Sequence, residues 1–142
     1  MASWFTAKTH QDPVLGTFER SGGWWRGSID LGDGQIVLAV PGTRSRPDPG
    51  AIDLARAIHA EFAAAADEID AALLEHRSIA VDAGMLDPGW SDPVPAWVRV
   101  MTLDRERAIE IGYEVAWDDD HTLGAIVRDH HLIELNGSVL AP

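Results

Sequence analysis

The chain has 142 residues, 46% of them hydrophobic and 24% charged, which is enough to bury a core in one compact domain and is unlike disordered or fibrous composition. A net charge of −12 would repel phosphate backbones and anionic lipids, so neither nucleic acid nor a membrane surface is expected as a partner. With no cysteine there is no disulfide framework, thiolate metal site or thiol nucleophile, and a reducing compartment such as the cytoplasm is the natural reading.

Residues 1–12 contain Trp4 and Phe5 but no basic region followed by a long apolar run, so a flexible or edge segment is expected there and no secretion signal. No stretch of the chain is apolar enough to span a bilayer. Residues 14–20, 24–31 and 35–40 are β-prone runs separated by "SGG" and "GDG", predicting a three-stranded meander. In the second run Trp25, Ile29 and Leu31 share the core face, and Trp24, Arg26, Ser28 and Asp30 share the other.

The turn-rich "PGTRSRPDPG" ends in Asp48 and Pro49, a residue pair suited to the N-cap and first turn of a helix. From there Ile52, Ala55, Ile58, Phe62, Ala65, Ile69 and Leu73 recur at steps of three and four, predicting one long or once-bent helix laid on a sheet. His59 and His76 fall at the margins of that stripe, as hydrogen-bonded boundary histidines. After Arg77 the helical pattern weakens, and residues 84–95 read as a Pro-rich connector in which Trp90 either closes the edge of the core or faces a partner.

Two further strands are expected at 97–103 and 107–117, joined by the charged loop "DRER". In the second, Ile109, Ile111, Tyr113, Val115 and Trp117 alternate with Ala108, Glu110, Gly112, Glu114 and Ala116, the pattern of a half-buried strand with a solvated polar face. The last segment, "WDDDHTLGAIVRDHHLIELNGSV", concentrates acids and histidines in a predicted hairpin whose two-residue turn is Asp129 and His130. That turn sets Arg128 opposite His131, Val127 opposite Leu132 and Ile126 opposite Ile133, with Ile126, Ile133 and Leu135 on one face. At ~3.3 Å per residue His121 then lies roughly 23 Å from the tip, too far to share a metal ion with His130 or His131.

Asp118, Asp119, Asp120 and His121 are expected in a tight solvated turn whose acids accept backbone hydrogen bonds, since "DDDHTLG" lacks the offsets and glycine of a calcium loop. His130 occupies a turn position that favours glycine and should carry modest strain. No nucleophile elbow, phosphate-binding loop or HExxH helix occurs, so no catalytic residue, metal ligand or cofactor is assigned.

The segments "LGTFERSGGWWRGSIDL", the central helix and the closing Trp-acid-acid-x-His-x-Leu-Gly hairpin together resemble a group of small, mainly bacterial domains of unknown function. The similarity spans most of the chain through short motifs, and its tip departs by placing His130 and His131 where glycine is commoner. Some related acidic domains occur beside polymorphic toxins and are thought to act as immunity proteins, which implies a role and no catalytic residue.

The expectation is therefore an α+β domain: three N-terminal strands, a helix or broken helix pair, and about four C-terminal strands in a largely antiparallel sheet with the helix on one face. For function it is a non-catalytic protein-binding module for a basic partner, through Trp117, Asp118, Asp119, Asp120, His121 and Trp24. The alternatives are a small metal-dependent or carboxylate-based hydrolase, and a structural domain without a tight partner.

Overall fold

The computed structural model describes residues 8–85 and 89–142. Residues 1–7, including Trp4 and Phe5, and 86–88 of the connector lie outside the described residues. Eight strands, β1 (Thr9–Asp12), β2 (Gly16–Ser21), β3 (Trp24–Asp30), β4 (Gln35–Val40), β5 (Val94–Leu103), β6 (Glu106–Val115), β7 (Asp118–Arg128) and β8 (His131–Val139), form one sheet in strict chain order. Every neighbouring pair is antiparallel except β4 and β5. Helices α1 (Pro49–Arg56) and α2 (Ile58–Asp82) span that parallel crossover. Among the described residues no helix is long and apolar enough to cross a membrane.

The fold is α+β and mostly antiparallel, with four strands before the helices where the sequence suggested three. β1 escapes a pattern search because four residues, "THQD", carry no apolar alternation. A polar clasp holds it: Asp12 accepts the Val14 and Leu15 amides at 3.0 and 2.8 Å and receives the Arg56 guanidinium of α1 at 2.5 Å. Those amide bonds turn the chain at residues 13–15, so Val14 is an exposed turn residue and the following strand begins at Gly16.

Asp48 caps α1 by accepting the Gly50 amide, and Pro49 opens the first turn. The helix pair breaks at Ala57 without glycine or proline, and α2 continues through Asp82, beyond the point where its apolar pattern fades. Ile52, Ala55, Ile58, Ala65, Ile69 and Leu73 are buried on the sheet, and Phe62 is partly so. They meet Phe18, Trp25, Leu38, Val40, Val98, Val100, Ile109, Ile111, Tyr113, Leu123, Ala125 and Val127 from one face of the strands. Leu31 packs against this core from the end of the first meander.

The opposite face carries no helix yet is buried at its centre, where Trp97 is 6% and Glu110 2% exposed. The Arg26 side chain, on β3, donates to the Pro142 carbonyl at 2.8 Å, three residues past the end of β8. Three extended residues reach about 10 Å and the arginine side chain adds less than that again, whereas five strand spacings amount to about 24 Å. The sheet is therefore strongly coiled, with its β3 and β8 corners drawn together over this face. Glu110, expected on a solvated face, is instead enclosed and ion-paired with Arg99.

Candidate functional site

The β6–β7 turn is Ala116 and Trp117, so the three acids begin β7 and do not form the turn itself. Val115 pairs with Asp118 and Glu114 with Thr122, which leaves Asp119, Asp120 and His121 as a bulge without β6 partners. Asp119 and Asp120 are exposed at its crest. Asp118 is buried and structural: its carboxylate accepts the Asp120 amide at 3.1 Å and the His121 Nδ1–H at 2.8 Å. Burial opposes ionisation of Asp118, but these donors outweigh it and hold its carboxyl below the usual range.

Trp117, expected to contact a partner, is only 3% exposed, so its ring is a floor and not a contact surface. Its Nε1–H donates to His76 Nδ1 at 3.0 Å. Because an indole only donates, that bond places the His76 proton on Nε2. Trp90 stacks on Trp117, with ring centroids 5.9 Å apart and an interplanar angle of 19°. Trp90 is thus both a lid for the core and a surface residue, 45% exposed, and its Nε1–H donates to Asp92 at 2.9 Å.

Beside this pair lies a groove of about 370 Å3 lined by Asp70, Ala71 and Leu74 of α2 and by Trp90 and Asp92. A second depression, about 280 Å3, flanks the other side of α2 and is lined by Ala72, Glu75, His76, Ile79 and Leu135. Leu74 and Ile79 are both exposed, so the second half of α2 presents apolar side chains between the two hollows. The Asp70 charge also reaches inward: burial pushes the Tyr113 hydroxyl well above the usual phenol range, and Asp70 and Asp33 add to that shift.

Trp24 lies elsewhere. It is half-buried on the helix-free face, with the Arg99 guanidinium 5.9 Å from its ring and Arg99 also 4.9 Å from the Trp97 ring. Asp118, Asp119, Asp120 and His121 follow Trp117 directly at the β6–β7 end, whereas Trp24 lies on the other side of the sheet. Asp70, Leu74 and Asp92 come together only because α2 meets the connector, a grouping that no spacing in the sequence marks.

Residues 57–142 hold seventeen acids and five arginines, whereas residues 1–56 hold six acids and six basic residues, so the entire net charge of −12 lies in the second segment. Among the described residues no three histidine or acidic side chains converge as a metal-binding group. Comparison with protein-family models, with curated proteins and with solved structures returned no match.

Proposed function

We propose that the chain is a non-catalytic module that binds a basic protein through the corner formed by α2, Trp90 and the β6–β7 bulge. The observation that carries this reading is an exposed indole beside an apolar groove, stacked on Trp117, the residue from which the chain enters the bulge bearing the solvated carboxylates Asp119 and Asp120. Exposed aromatic and aliphatic groups supply contact area, and surrounding carboxylates select the partner's charge and speed its approach. The resemblance to immunity-like domains, which rests on short motifs, makes a basic toxin the first partner to try.

The test is affinity capture from the native host lysate at low and high salt, with mass spectrometry of what is retained. Wild type is compared with Asp119→Asn/Asp120→Asn, which spares the structural Asp118. A basic protein held by wild type, weakened by salt and lost from the variant is the expected result. Retention that is indifferent to both salt and the two substitutions would rule this surface out.

A further inference from the structure

The groove beside Trp90 has a chemistry more specific than general acidity. Its base is apolar, from Ala71 and Leu74, and carboxylates stand on two different elements, Asp70 on α2 and Asp92 in the connector. Its aromatic wall is held from two directions, by the stack on Trp117 and by the bond from Nε1 to Asp92. That bond uses the indole's only donor, so what the ring offers a ligand is the part of its π surface that the stack on Trp117 leaves uncovered. The chain's own Arg77 guanidinium lies 6.0 Å from the Trp90 ring centroid, at the outer limit of cation–π contact, so the ring takes a cation there and a partner's guanidinium has to displace or offset this one, with Asp70 and Asp92 supplying the opposing charge.

Resting on the protein-binding reading, we propose that this groove receives one arginine side chain of the partner, with its guanidinium at the Trp90 ring between Asp70 and Asp92 and its methylenes along Leu74. Arginine fits better than lysine because a planar guanidinium stacks on an indole while donating to carboxylates at its edge, whereas an ammonium is a strongly hydrated point charge. The molecule carries a net charge of −12, so its long-range field and the pocket select the same sign of residue. The apolar base favours arginine flanked by an aliphatic residue over an isolated charge.

The experiment titrates the 15N-labelled full chain with the blocked peptide acetyl-Gly-Leu-Arg-Leu-Gly-amide and with its lysine and citrulline counterparts. The arginine peptide should shift the Trp90 indole resonance and the amides of Asp70 and Leu74 saturably. The lysine peptide should bind at least about fivefold more weakly and citrulline more weakly still. Asp70→Asn and Asp92→Asn should each weaken the arginine peptide severalfold, with the dispersion of the spectrum confirming that both variants fold.

Equal binding of the arginine and lysine peptides, or shifts confined to the Asp119 to His121 bulge, overturns the proposal. Shifts that follow protein concentration without peptide also overturn it, because a second copy would then be the occupant. Captured partner that is lost from Asp119→Asn/Asp120→Asn but retained by Asp70→Asn and Asp92→Asn sinks the arginine pocket and leaves the protein-binding reading standing. A specific arginine-peptide shift without any captured partner does the reverse.

Discussion

A β-carbon placed on Gly112 would lie 2.1 Å from Trp97 Cε2, so this glycine is a seat for the indole ring stacked across the strand. Gly112→Ala is expected to destabilise the fold by about 3 kcal/mol, as overpacking in a buried layer does. Adding Trp97→Leu to Gly112→Ala should cost less than the two single changes summed, and denaturant unfolding of the double-mutant cycle measures that coupling. The alternation in β6 made the helix-side residues Ile109, Ile111 and Tyr113 legible in the sequence. The same alternation misplaced Glu110, because a polar residue opposite a core residue reads as solvated unless its partner, here Arg99 across the strand, is known. Trp117 misled for a related reason: flanking acids suggest exposure, whereas the indole finds its acceptor inward on His76.

At the scale of elements, the hairpin tips follow local chemistry. Asp104 and Arg105, like Asp129 and His130, have φ of 52° and 68°, so both are two-residue turns in the left-handed region that glycine occupies most easily. The predicted Asp129–His130 turn and its first two pairs are present. Ile126 instead pairs with Glu134, because β8 bulges between its pairs with Ile126 and Val127. Ile126 therefore does not share the face of Leu135, and Ile133 is exposed. No sequence pattern marks such a bulge, since one extra residue reverses the facing of those beyond it.

The strained tip is secured from outside the hairpin. The His130 amide donates to Glu61 at 2.7 Å, and His131 Nδ1–H donates to Glu68 at 2.8 Å, two turns further along α2. His130→Gly keeps the amide bond, gives up the exposed imidazole's 3.3 Å contact with Glu61 and relieves the left-handed strain, so it should stabilise by less than about 1 kcal/mol, with Arg105→Gly gaining up to about 1 kcal/mol. Glu61→Ala, which leaves that amide without its acceptor, should cost about 1 to 2 kcal/mol; urea midpoints of the three variants decide the matter.

Across the whole molecule, acid stability depends on where the few well-held carboxylates sit. The Arg56 guanidinium bonded to Asp12 opposes its burial and, with the Leu15 and Val14 amides, holds its carboxyl down from 3.8 to about 2. A carboxylate whose pKa is lower in the folded state contributes stability above its unfolded value and loses it as pH falls through the folded one. The Asp12 contribution is thus present above about pH 4 and fades between about pH 4 and 2. Solvent around the half-exposed Arg56 reduces it to about 1 to 2 kcal/mol. Asp12→Asn should lower the melting temperature at neutral pH and flatten its decline across that acid range, and thermal melts at stepped pH read both effects. Asp118, also held below the usual range, adds a second loss of the same sign.

The chain-order sheet also has a consequence for how the molecule assembles. Every strand pairing but one closes through a connection of two to four residues, whereas β4–β5 brings Val37 to Trp97, sixty residues away, with both helices in the intervening segment. Closing that loop carries the largest entropic cost, so the β4–β5 seam should form in the rate-limiting step between two hairpin arrays that assemble quickly on their own. In stopped-flow chevrons, Leu38→Ala at the seam should slow refolding, while Leu132→Ala at the β8 margin should act mainly by speeding unfolding.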